Sequence, residues 1–177
     1  APRLDNVTED AFYRMINKSQ PSLIRTEADE LTYCLHIMVR YELEKRMFDG
    51  SLTAHDLPAE WNRLYKEYLG IDVPDDRQGV LQDSHWANGN IGYFPSYAIG
   101  SAYGAQYLRE MSGALDVDAV VRSGDLTPIN NWLEDRIWKH GCMKDPVALF
   151  ESVCGKFDPD CYVAYLEKKF TEVYGLS

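Results

Sequence analysis

At 177 residues, with 45% hydrophobic and 26% charged side chains, the chain has the make-up of one globular domain rather than of a disordered or fibrous segment. A net charge of -10, with the Lys and Arg scattered and no cluster denser than Glu44-Lys45-Arg46, argues against nucleic acid or an anionic membrane surface as a partner. No apolar run approaches the roughly 18 residues of a membrane span, and Ala1-Pro2-Arg3-Leu4-Asp5 lacks the charged-then-apolar order of a signal peptide.

Taken along the chain, the punctuation is that of a helical protein. Thr8 is expected to cap a short first helix carrying Phe12, Met15 and Ile16. The longest helix is predicted from Glu27 to Asp49: Glu27, Asp29 and Glu30 fall in its first turn, Lys45 and Arg46 in its last, and Gly50 stops it. Leu31, Cys34, Leu35, Met38 and Tyr41 recur at three- and four-residue steps and form its apolar stripe. A further helix is predicted between Asp56 and Gly70, around Trp61, Leu64, Tyr65, Tyr68 and Leu69.

Residues 79–94 break the helical pattern. The runs Gly79 to Trp86 and Ile91 to Phe94 flank Ala87-Asn88-Gly89-Asn90, and Asn-Gly between two such runs signals a β-hairpin. After Pro95 a helix is predicted to about Met111; its Gly100 and Gly104, one turn apart, suggest a close backbone approach. Thr127-Pro128 to Gly141, Asp145-Pro146 to Gly155 and Asp158-Pro159 to Gly175 each pair an early proline with a terminal glycine, the asymmetry of helix ends. No repeat or linker divides the chain, so residues 1–177 read as a single, mainly α, multi-helix domain with one small β-hairpin near residues 79–94.

Cys34, Cys142, Cys154 and Cys161 include no CxxC pair and mostly sit among apolar neighbours. They read as reduced, mostly buried thiols in a cytoplasmic protein. Of the histidines, His36 shares a helix face with Arg40, His55 follows a loop, and His140 precedes a capping glycine. No two are spaced to form a zinc site, and no HExxH, Ser-His-Asp set, phosphate loop or dinucleotide fingerprint is present.

Two stretches concentrate groups that do chemistry. Arg25, at the start of the predicted long helix, offers a planar fork of donors to a carboxylate. Gln82, Asp83 and His85, followed by Tyr93, bring an imidazole within reach of a phenol, a pair able to donate to a developing oxyanion. By residue type alone, Arg25 is more often a surface ion-pair partner of Glu27 or Asp29, His85 beside Trp86 more often a structural hydrogen-bonder, and Gln82 and Asp83 more often turn stabilisers.

These same stretches carry a resemblance. Ile24-Arg25-Thr26-Glu27-Ala28-Asp29 resembles the I-R-x-x-A-D motif of the carboxypeptidase Taq family, and Gly79 to Trp86 matches its G-x-x-Q-D-x-H-W motif at every fixed position. Gly92-Tyr93-Phe94-Pro95-Ser96-Tyr97 is similar to the family's G-Y-F-P-T-Y, and Leu57 to Asn62, Tyr65 to Gly70 and Tyr174-Gly175-Leu176 are familiar as well, so the likeness runs through essentially the whole chain. Ala87 departs from the family's usual Ser. The resemblance implies the C-terminal part of a longer, largely helical zinc carboxypeptidase (cobalt being a possible substitute), organised like neurolysin and angiotensin-converting enzyme and commonly homodimeric. In such enzymes the zinc is held by HExxH and a later His-Glu-Ser motif, which would lie in the missing N-terminal half. It further implies that Arg25 grips the terminal carboxylate of a peptide substrate, that His85 and Tyr93 face the scissile carbonyl, and that Gln82 helps to position the peptide. This chain alone is then expected to be inactive. The alternative is a non-catalytic module that binds peptide C-termini or dimerises.

Overall fold

The computed structural model describes residues 4–176. Among them are eight α-helices: α1 (Glu9–Ile16), α2 (Tyr33–Phe48), α3 (Leu57–Leu69), α4 (Pro95–Ser112), α5 (Val117–Ser123), α6 (Thr127–Arg136), α7 (Pro146–Cys154) and α8 (Asp160–Tyr174). Short 3-10 turns cover Arg25–Glu27, Trp86–Asn88 and Trp138–His140, and no strand occurs among the described residues. None of these helices is long and apolar enough to cross a membrane. The described residues form two compact units, one of residues up to Ala98 together with those from Lys168 onward, the other Ile99–Glu167.

The first unit is built on α2 packed against α3. Its core consists of Val39, Leu43, Leu52, Trp61, Leu64, Tyr65 and Leu69, with Trp86 and Val80 packed on it. Trp61 stacks on Tyr65 at 5.1 Å and meets the edge of Trp86 at 6.1 Å. Helix α1 is capped by Thr8, whose hydroxyl accepts from Ala11 N at 3.2 Å, but buries no residue. Tyr174 ties the end of the chain back to the first unit, its hydroxyl accepting from Ser19 N at 2.7 Å. In the second unit Phe150 is fully buried, stacked on Tyr103 at 3.8 Å with Tyr107 and Phe157 edge-on. Buried Gln106 fastens the chain after α7, donating to Cys154 O and Lys156 O and accepting from Asp158 N.

Several expectations are corrected. The β-hairpin at residues 79–94 is absent. Asn88 donates to Ser84 O and His85 O, Asn90 to His85 O, and Gly89, at φ 75°, closes the turn Trp86–Asn88 by donating to Trp86 O. The Asn-Gly pair therefore ends a helical turn, for which a left-handed glycine is equally suited. Helix α2 starts at Tyr33, not Glu27, because the Asp29 carboxylate accepts from Thr32 N and Thr32 Oγ1 and holds residues 28–32 in a turn. The longest helix is α4, with 18 residues against 16 for α2.

The apolar stripe predicted for α2 is kept only in part: Cys34 and Leu35 are half-buried, Leu35 against the core. Leu31, Met38 and Tyr41 are 39%, 46% and 45% exposed, while the buried face holds His36, Ile37, Val39, Arg40, Leu43 and Glu44. Hydropathy patterning assigns charged residues to water and has no means of registering that they are paired inside. Gly100 and Gly104 meet nothing within 4 Å where a Cβ would stand, so no close approach accounts for them among the described residues. The segment from Thr127 ends as a helix at Arg136 and reaches Gly141 through the Trp138–His140 turn. Of the cysteines, Cys154 is buried, Cys34 and Cys161 are half-buried and Cys142 is exposed.

Trp61 is 1% exposed, stacks on Tyr65 of its own helix and joins α3 to Trp86. Trp61→Ala should therefore lower the unfolding free energy by about 3–5 kcal/mol through lost burial and the cavity left behind, read from the midpoint of a urea transition.

Candidate functional site

The site grows from one carboxylate in the first unit. Asp83 lies in the turn that follows Gly79, where a Cβ would meet Val73 Cγ1 at 2.8 Å and Asp75 O at 3.1 Å, so only glycine lets the chain pass there unshifted. Arg25 donates from Nε and Nη2 to Asp83 Oδ1 at 3.0 and 2.8 Å. Arg40, on α2, donates from Nε to Asp83 Oδ2 at 2.7 Å. The two guanidiniums thus straddle one carboxylate, with side chains 8%, 0% and 10% exposed for Arg25, Arg40 and Asp83. Two cations and one anion leave this trio one positive charge in excess.

Gln82 braces both arginines. Its Oε1 accepts from Arg25 N and Arg40 Nη2, both at 2.9 Å, and its Nε2 donates to Leu23 O at 3.0 Å and Gln78 O at 2.9 Å. The amide is therefore fully engaged inside the protein. Arg40 also donates to His36 O at 2.7 Å and lies over the Trp61 ring at 4.6 Å. Arg25 donates a further bond to Tyr33 Oη at 3.0 Å, leaving one N–H on each of Nη1 and Nη2 without a protein acceptor among the described residues. Its guanidinium sits 5.1 Å from the centre of the Tyr97 ring.

Around this cluster stand His85, Tyr93 and Tyr97. His85 Nε2 lies 3.1 Å from Tyr97 Oη, while buried Nδ1 has no hydrogen-bond partner and is 4.0 Å from Asp83 Oδ1. The His85 ring is 5.8 Å from that of Tyr93, which is 51% exposed, and 4.4 Å from that of buried Phe94. The turn carrying these groups is pinned by Glu44, whose Oε1 accepts from Trp86 Nε1 at 2.7 Å and Gly92 N at 3.2 Å.

The electrostatics follow. Burial pushes the Asp83 carboxyl up, but hydrogen bonds and charge from Arg25 and Arg40 prevail and hold it below the usual carboxylate range. Burial, aided by the charges of Arg40 and Arg25, lowers His36 from 6.5 to about 4, so it stays neutral near pH 7. Its Nδ1 is 3.1 Å from Tyr65 Oη. No group of three or more His, Cys, Asp or Glu that could hold a metal ion occurs among the described residues. Among the described residues, the one carboxylate within 4.0 Å of His85 already serves the arginines. These residues do not fit a metal site.

The family model described as carboxypeptidase Taq (M32) metallopeptidase matches residues 1–170. The chain belongs to the carboxypeptidase Taq metallopeptidases. It is 43% identical over 171 residues to carboxypeptidase 1 of Bacillus subtilis, covering 96% of this chain and 34% of that protein. It is 41% identical to thermostable carboxypeptidase 1 of Thermus thermophilus, covering 97% and 34%. The structure of the M32 carboxypeptidase from Deinococcus radiodurans R1 superposes with a TM-score of 0.95 at 38% identity, over 99% of this chain and 36% of that one. The chain therefore spans about a third of the length of the curated relatives it matches.

Within this carboxypeptidase Taq chain, the fold brings the two motifs face to face. Arg25 and Asp83, 58 residues apart, form the ion pair that joins them, rather than Arg25 pairing with Glu27 or Asp29. Asp29 instead accepts from Ser19 Oγ and Gln20 N and shapes the entry to α2. His85 is within hydrogen-bonding distance of Tyr97 and only in ring proximity to Tyr93. Trp86 packs on the core and donates to Glu44. Arg40, Glu44, Tyr33 and Tyr65 are parts of the cluster that sequence reasoning did not nominate. Their one legible signal was His36, Arg40 and Glu44 recurring every fourth residue on α2.

A histidine held neutral in the folded state and protonated when unfolded makes the unfolded state bind more protons between the two pKa values, so stability rises with pH there. His36 should contribute in full above pH 6.5 and weaken the fold as pH falls toward about 4, a loss of about 3 kcal/mol across that window. Chemical unfolding at successive pH values should show this slope, and His36→Gln should flatten it.

Proposed function

We propose that this chain is the C-terminal, substrate-anchoring part of a zinc-dependent carboxypeptidase, and that Arg25 grips the terminal carboxylate of a peptide. The observation that carries this reading is the buried Arg25–Asp83–Arg40 trio with its surplus positive charge and the two uncommitted N–H groups of Arg25. A buried charge without full compensation is costly, so the site favours an anion, and paired N–H donors suit the two oxygens of a carboxylate. An amide or an internal peptide bond brings no such charge, which gives the site its preference for chain ends.

On this reading His85 and exposed Tyr93 face the scissile carbonyl and donate to the oxygen as charge develops there. Gln82 acts indirectly, holding Arg25 and Arg40 in place through the bonds that occupy its amide. The metal, zinc or in its place cobalt, would be held by residues outside those described and would supply the activation of water. The whole enzyme works as a homodimer on peptide substrates. Without the metal-binding part the chain binds a peptide end and does not cut it.

Two experiments test this. Calorimetric titration with an N-acetylated dipeptide should show the free acid binding at least about tenfold more tightly than its amide, the scale of one charge-assisted hydrogen bond. Arg25→Ala should abolish the difference; equal binding of acid and amide by the unsubstituted chain would sink the anchoring role. Separately, the chain with added zinc or cobalt should release no amino acid from a blocked dipeptide, and activity should appear when the metal-binding part of a family member is supplied. Hydrolysis by the chain alone would overturn the assignment, and silence in the complemented mixture would favour a non-catalytic peptide-binding module.

A further inference from the structure

We infer that Arg40 is a positioning residue for carboxylate recognition: it holds Asp83 and Gln82 so that Arg25 keeps its outer N–H donors and the Arg25–Asp83–Arg40 trio keeps its surplus positive charge. This rests on the anchoring role of Arg25 argued above. Arg40 is 0% exposed and meets no ligand itself. Its nitrogens reach Asp83 Oδ2, Gln82 Oε1, His36 O and the Tyr65 hydroxyl, and its guanidinium is sandwiched near the Trp61 and Phe94 rings at 4.6 and 5.3 Å.

The division of Asp83 between the arginines is the decisive geometry. Oδ1 takes both bonds from Arg25, and Oδ2 takes its bonds from Arg40. Remove Arg40 and Oδ2 loses its donors inside the protein. Groups beside the carboxylate that hold no other hydrogen bond are the free N–H groups of Arg25 and His85 Nδ1, 4.0 Å from Oδ1. A carboxylate that turns toward the Arg25 fork closes a neutral one-to-one pair and consumes the donors a substrate needs. Two buried arginines sharing one aspartate thus prevent the aspartate from satisfying either alone. A purely architectural Arg40 would act differently: its loss would lower stability and leave the discrimination between acid and amide intact.

The test uses the intact chain, the N-acetylated dipeptide free acid and its amide, with thermal unfolding followed in parallel. The unsubstituted chain is measured first; no preference for the acid there would overturn the anchoring role itself, and the inference with it, before any Arg40 variant is compared. Given that preference, Arg40→Met, similar in length but uncharged, is expected to reduce the acid-to-amide ratio about tenfold, the magnitude of a charge-assisted hydrogen bond. A folded Arg40→Met chain with the original ratio and only a lower Tm overturns the inference. Should that variant fail to fold, Arg40→Lys decides: it keeps the charge but cannot bond Asp83, Gln82 and His36 O together, and a partial fall in the ratio is expected. An unchanged ratio in Arg40→Lys overturns the inference equally.

Discussion

Asp83 carries a demand that neither of its oxygens can escape: each must answer a different buried guanidinium. Arg25 arrives from a turn before α2 and Arg40 from the middle of that helix, and the carboxylate stands on a third segment. Breaking one side of such an arrangement strands charge in a low-dielectric interior, which costs far more than the same pair is worth at a surface. The neighbouring parts comply with this demand. Gln82 closes the gaps between the arginines, His36 stays neutral beside them, and Glu44 fixes the turn that follows. The rings of Trp61, Phe94 and Tyr97 lie within 4.6–5.3 Å of one or other guanidinium.

The geometry also explains why the two motifs read so differently in terms of role. Asp29 and Trp86, fixed in their motifs, are structural: one shapes a helix entry, the other anchors a turn to Glu44. Arg25 and His85 retain unsatisfied hydrogen-bonding capacity next to exposed Tyr93. Polar capacity is left over around Arg25 and His85 and is used up around Asp29 and Trp86.

How much was legible in the sequence depended on whether the signal was local. Caps and stop glycines are local: Thr8, Asp145 and Gly155 mark helix ends where expected, as does Gly70, at φ 73°. The two motifs could be singled out because residue type and order are preserved in the linear chain, and the fold brings Arg25, Gln82 and Asp83 of these motifs together. The hairpin failed because Asn88-Gly89 supports a left-handed residue in either context, and local sequence does not say whether a strand partner exists. The buried face of α2 failed for a deeper reason. Arg40 and Glu44 belong inside only because Asp83, Trp86 and Gly92, some 40 residues on, complete them. No periodicity computed within the helix contains that information.

Helix α2 has a mechanical consequence. His36, Arg40 and Glu44 stand on one line down its inner face, and each grips a different part of the surroundings: the Tyr65 hydroxyl, the Asp83 carboxylate, and the loop at Trp86 and Gly92. Met38 and Tyr41 occupy the outer face of the same rod. A hydrogen-bonded helix rolls or slides as a whole, so a push on that outer face is delivered at once to all three grips. Moving α2 as a unit would therefore shift all three grips together, the spacing between Arg40 and Asp83 among them.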